Sequence, residues 1–106
     1  MKTPRQTPDE DGEDCRLDVW LFRTRLVKTR SLAAKLIAGG AVRMTRGGVQ
    51  TRVDRASRAV RQGDHLVFAI AGRVHALEVL SIGSRRGPPE EARALYTALE
   101  EDGADD

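Results

Sequence analysis

The sequence predicts an α+β domain in which two amino-terminal helices pack on a small antiparallel sheet and a carboxyl-terminal helix closes one side. Three observations support this. Apolar residues recur at three- and four-residue spacing between Leu17 and Ile37, they alternate between Leu66 and Ile70, and glycine-bearing turns separate the runs. A chain of 106 residues holds one domain of modest intrinsic stability. With only Trp20, Phe22, Phe68 and Tyr96 as aromatics, the core is expected to be built from Leu, Val, Ile and Ala.

The first fourteen residues combine Pro4, Pro8 and Gly12 with an acidic run, which predicts a disordered acidic tail over 1–14 and a folded domain over 15–87. From Arg16 to Leu26, the residues Leu17, Trp20, Leu21 and Thr24 lie on one helical stripe with Trp20 facing the core, while Arg16 and Arg23 share another face. Asp14 is placed to cap this helix, and Asp18 to interact with the positive end of its dipole. After a turn at Val27 and Lys28, Thr29 is expected to cap a second helix over Arg30 to Ala38. Its apolar face is Leu32, Ala33, Leu36 and Ile37, and Gly39-Gly40 ends it. Ala41–Met44 and Val49–Thr51 are β-prone runs around Arg46-Gly47-Gly48, a hairpin pattern. Gly63-Asp64 turns into a strand over His65–Ile70, and Ala71-Gly72 turns into a returning strand over Arg73–Ile82. Gly87-Pro88-Pro89 precedes Glu90 to Glu100, whose Ala92, Leu95, Tyr96 and Leu99 fall at i, i+3, i+4 and i+7. That spacing predicts a helix within 88–101 packed on the domain, followed by an acidic tail at 102–106.

Charge is distributed unevenly. Residues 1–14 carry two basic and five acidic side chains, residues 15–87 fifteen and four, and residues 88–106 one and seven. Within the middle segment, Arg16 to Arg61 holds twelve basic groups against Asp18 and Asp54 alone. A GC-rich coding bias explains fifteen Arg against three Lys, but not the exclusion of acids from one stretch and their crowding at both ends. The pattern is that of a polyanion binder. The patch is expected where the second helix begins: Lys28, Thr29, Arg30 and Ser31 bring cations, hydroxyls and free backbone N–H groups to one spot, with Lys35 a turn beyond Ser31. Arg16, Arg23 and Arg25 would join it from the first helix, and Arg43 and Arg46 from the hairpin.

Motifs for catalysis are missing from the sequence, so no enzyme and no cofactor is expected. Gly39-Gly40 and Gly47-Gly48 lack the Lys-Ser/Thr of a phosphate loop, His65 and His75 stand alone, and Cys15 has neither a disulfide partner nor zinc-ligand spacing. No apolar stretch suits a signal or membrane span, so a cytoplasmic protein without membrane or small-molecule partner is expected. Trp20 and Phe68 are expected in the core, leaving phosphate contact rather than base stacking as the mode of binding.

The stretch RLDVWLFRTRLVKTRSLAAKLIAGGAVRM, residues 16–44, resembles the RNA-binding domain named for ribosomal protein S-four, also called the αL motif. The features are Arg16-Leu17-Asp18, Thr29-Arg30-Ser31, the apolar helix Leu32 to Gly40, and Val42-Arg43-Met44, continuing through Ala56 to Val60 and Gly63-Asp64. Lys28 to Ala34 and Arg85-Arg86-Gly87-Pro88 to Tyr96 are similar to the heat shock protein fifteen subgroup. The resemblance implies RNA contact at Arg16, Arg25, Lys28, Thr29, Arg30, Ser31, Lys35 and Arg43. It also implies association with structured ribosomal RNA of the large subunit and peptidyl-tRNA, in recycling of stalled ribosomes or the heat-shock response. The hairpin Met44-Thr45-Arg46-Gly47-Gly48 is longer than the family's usual Val-Asn-Gly. The alternative is a protein-interaction adaptor whose acidic tails bind a basic partner or mask its own basic face. A monomer is expected.

Overall fold

The computed structural model describes residues 14–99, so the acidic tails expected at both ends fall, Asp14 apart, outside the described residues. The chain runs β1 (Asp14–Arg16), α1 (Leu17–Arg23), α2 (Arg30–Ala38), β2 (Val42–Arg46), β3 (Val49–Val53), β4 (Ala59–Arg61), β5 (His65–Ile70), β6 (Arg73–Val79), α3 (Pro89–Arg93) and β7 (Tyr96–Ala98). Five strands form an antiparallel sheet in the order β3-β2-β5-β6-β7, and β1 pairs with β4 in a separate two-stranded ribbon. The helices pack against one another, and Leu17, Trp20, Leu21, Ala33 and Ile37 join Val42, Met44, Leu66, Phe68 and Leu77 in one core.

The first helix departs from expectation at both ends. Asp14 does not cap it, because Asp14 sits in β1 opposite Arg61. The helix instead starts on the β3–β4 loop: Leu17 N–H donates to the Arg58 carbonyl at 2.8 Å and Asp18 N–H to that of Ala56 at 3.2 Å. Two otherwise orphaned donors are thereby satisfied by backbone. It stops at Arg23 rather than Leu26, since the Thr24 hydroxyl donates to the Leu21 carbonyl at 2.7 Å and Arg25 takes a left-handed φ of 65°. The second helix has the expected bounds, and the Thr29 hydroxyl accepts from Leu32 N–H at 3.0 Å as its cap.

Strand parity sorts the sheet. Val42, Met44 and Val53 face the core, whereas Arg43 and Arg52 oppose each other on the outer face. The β2–β3 turn needs positive φ at both central residues, 58° at Gly47 and 82° at Gly48, which fits the type I′ hairpin.

The expected carboxyl-terminal helix is corrected. Only Pro89–Arg93 is helical, and Tyr96–Ala98 forms β7 against β6, pairing Val79 with Tyr96 and Leu77 with Ala98. The apolar spacing still buries Ala92 and Leu95, but from Tyr96 the chain pairs with the β6 edge and satisfies backbone groups that the edge would otherwise leave unpaired. Leu80 and Ser81 N–H groups both donate to the Leu95 carbonyl, which ends β6 at Val79 instead of Ile82. Tyr96 meets the Trp20 ring edge-on at 6.5 Å between centroids, and Trp20 Nε1 donates to the Ser81 carbonyl at 2.9 Å. The carboxyl-terminal segment therefore locks onto α1 through the core tryptophan.

Candidate nucleic-acid interface

The cationic side chains fall into two groups, those that donate to the protein's own acceptors and those that do not. Several of the second group lie at α2. Lys28, Thr29, Arg30, Ser31 and Lys35 are all exposed, and neither lysine has a carboxylate within ion-pair distance among the described residues. Lys28 and Lys35 line the same open cleft of about 560 Å³, whose floor is Leu26, Leu32, Leu36 and Ile70.

Asp18 organises the near edge of this surface. Its buried carboxylate accepts from Arg16 Nε and Nη2 at 3.1 and 3.0 Å and lies 4.0 Å from Arg30 Nη2. One carboxylate thus places two half-exposed guanidinium groups side by side, leaving a net positive charge at the start of α2. The hydrogen bond to Asp18 holds the Arg16 pKa above its ordinary value. Arg43 is exposed on the outer face of the sheet.

Three expected contacts have structural duties. Arg23 Nη1 donates to the Ile82 and Gly83 carbonyls at 3.1 and 3.0 Å. Arg25 Nε donates to the Gly87 carbonyl at 2.6 Å, although the residue itself is exposed. Arg46 faces inward: Nε and Nη2 grip buried Asp64 at 2.9 and 2.7 Å, and Nη2 also reaches the Ala59 carbonyl at 3.2 Å. The alternation of β2 carries the signal, since Arg46 has the parity of Val42 and Met44. Arg46 is therefore not brought to the surface formed by Lys28, Arg30 and Lys35.

Arg52, Arg55 and Arg58 were hidden in the general basic count. They line a second groove, of about 310 Å³, on the β3–β4 loop with Asp54 and Ser57. Their density in sequence, three arginines within seven residues, was the available signal.

Elsewhere, His75 stacks on buried Phe68 at 5.5 Å, and His65 lies 3.9 Å from Glu78. Burial pushes the Cys15 thiol pKa up, away from the reactive thiolate. Among the described residues no three His, Cys, Asp or Glu side chains gather as metal ligands, and no helix is long and apolar enough to cross a membrane.

A family model of the S4 domain matches residues 15–44, which span β1, both long helices and the start of the hairpin. Among solved structures, heat shock protein 15 of Vibrio cholerae, described as trimeric, aligns with a TM-score of 0.71 at 30% identity. The alignment covers 82% of this chain and 83% of that one. No curated protein matches the chain in sequence.

Proposed function

Because the chain belongs to the S4-domain family, RNA binders at the family level, alongside heat shock protein 15, we propose that it binds structured ribosomal RNA through the exposed face of α2. The observation that carries this reading is the convergence of Lys28, Arg30 and Ser31 around the Thr29-capped end of α2, with Lys35 exposed farther along the same helix and Arg16 and Arg30 set side by side by Asp18. Backbone N–H groups in the first turn of a helix, hydroxyls and cations within one patch suit a phosphate. Structured RNA exposes its backbone and shallow groove more than its base edges, so phosphate contact and shape dominate recognition. The large ribosomal subunit, including stalled subunits carrying peptidyl-tRNA, is the proposed target, and recycling of such subunits the proposed role.

The test is a fluorescence-anisotropy titration of a large-subunit RNA fragment over a salt series. The Lys28→Ala, Arg30→Ala double variant should bind more weakly, with the slope of log affinity against log salt reduced by about one unit or less per lost phosphate contact. Both side chains are exposed, so the melting temperature should stay near that of the parent chain. Unchanged affinity would refute the surface. Sedimentation of lysate on a sucrose gradient tests the target, and absence from the large-subunit fractions would remove it.

A further inference from the structure

Arg52 at the end of β3 and Arg55 and Arg58 in the β3–β4 loop have no carboxylate within ion-pair distance among the described residues. Arg52 lies directly opposite Arg43 on the outer face, and like charges so placed destabilise a strand pair. Arg52 also passes over the α2–β2 junction, where a Cβ on Gly40 would sit 3.4 Å from its Nη1. Among the described residues the Arg58 guanidinium donates to the Met44 sulfur alone, at 3.7 Å, a weak acceptor. With Asp54, Arg55 and Ser57 these side chains line one concave groove. Asp54 is exposed there among the cations, yet it is in ion-pair contact with none of them.

The loop is hydrogen-bonded to the first turn of α1, which carries Asp18. Its Ala56 carbonyl accepts from Asp18 N–H, while the Asp18 carboxylate holds Arg16 and reaches Arg30 on its other side. One residue therefore contacts both basic regions.

We propose that this groove is a ribonucleotide subsite: Arg52, Arg55 and Arg58 take a backbone phosphate, and Asp54 accepts a hydrogen bond from the adjacent ribose 2′-hydroxyl. A lone carboxylate beside a phosphate site costs affinity for any polyanion unless it meets a donor, and the 2′-hydroxyl is the donor that distinguishes RNA. The inference rests on the RNA-binding reading above and extends the interface from α2 to the far side of Asp18.

The test uses the full chain with two probes, an RNA hairpin and the same hairpin carrying 2′-fluoro in place of its 2′-hydroxyls. The substitution preserves helix form while removing the donor. Arg52→Ala, Arg55→Ala should weaken binding of both probes and lower the salt slope by about two units at most. Asp54→Ala should cut the preference for the hydroxyl-bearing probe roughly two- to tenfold, the worth of one hydrogen bond. An unchanged slope in the arginine variant, with Lys28→Ala, Arg30→Ala still weakened, overturns the subsite and spares the α2 reading. An unchanged probe preference in Asp54→Ala overturns the ribose contact. If Lys28→Ala, Arg30→Ala also binds normally, the reading beneath both has failed.

Discussion

Replacing Arg46 with alanine would strand a carboxylate inside the fold. Asp64 has a side chain only 3% exposed and accepts from Arg46 twice and from Arg61 N–H once, at 2.8 Å. Removing one partner of a buried pair costs about 3–5 kcal/mol, because the remaining charge keeps its desolvation penalty. Arg46 is itself 35% exposed, so solvent screens the pair and water can enter once the side chain is gone; about 2–4 kcal/mol is the appropriate range. For a domain of this size that corresponds to a fall in melting temperature of roughly 10–25 °C. Thermal unfolding followed by circular dichroism measures it. The double variant Arg46→Ala, Asp64→Ala should lose less than the sum of the single losses, because the orphaned charge is removed with its partner. A single variant that melts within about 2 °C of the parent while losing RNA affinity would show that Arg46 is an external ligand and that the inward assignment is wrong.

Other consequences are smaller. Thr29→Ala removes the side-chain acceptor for Leu32 N–H and should cost about 1 kcal/mol in a urea titration, with RNA affinity falling as the first turn of α2 frays. Ala71 holds a φ of 53° beside Gly72 at 80°, so Ala71→Asn should raise stability by about 0.5–1 kcal/mol, read as a higher urea midpoint, by supplying the residue that a type I′ turn favours. Gly83→Ala should destabilise, because its Cβ would meet Leu95 Cδ2 at 3.0 Å and its φ is 69°; a melting temperature equal to the parent's would contradict that packing. The raised thiol pKa of Cys15 means that the unfolded chain deprotonates first as pH rises. Its contribution to stability is complete below the ordinary thiol pKa and is lost as pH climbs through the folded value, so Cys15→Ala should flatten the alkaline arm of a stability–pH curve.

Elements specified by neighbouring residues were legible in the sequence. The Thr29 cap and the residues of the apolar face lie within ten residues, and α2 has the expected bounds with Ala33 and Ile37 buried, though Leu32 is left exposed. The two hairpins likewise follow from their turns. The β1–β4 ribbon did not show, because two three-residue strands separated by both helices and the β2–β3 hairpin leave no local period. At the carboxyl end, Ala92, Leu95, Tyr96 and Leu99 fit a helix equally well by spacing, and the decision lay with the distant β6 edge, where Leu99 N–H donates to the Ala76 carbonyl at 2.8 Å. The inward pairing of Arg46 was legible in the alternation of β2, which gives it the parity of Val42 and Met44.

The basic count conceals a division of labour that bears on how this surface can work. Arg23, Arg25 and Arg86 donate to carbonyls of Ile82, Gly83, Gly87 and Phe22, and Arg86 also lies over the Phe22 ring at 4.8 Å. These four bonds to backbone strap the segment after β6 across the end of α1, using donors that spread in a planar fork. Lysine at those positions would keep the charge and lose the geometry. At Lys28 and Lys35 no protein acceptor needs such a fork, and a point charge on a flexible stem serves phosphate contact. Substituting lysine for arginine should therefore separate the groups: at Arg23, Arg25 and Arg86 stability should fall, while at Arg43 and Arg55 it should hold. Where an arginine bends around its own chain it builds the face, and where it stands clear of the chain it is free to meet RNA.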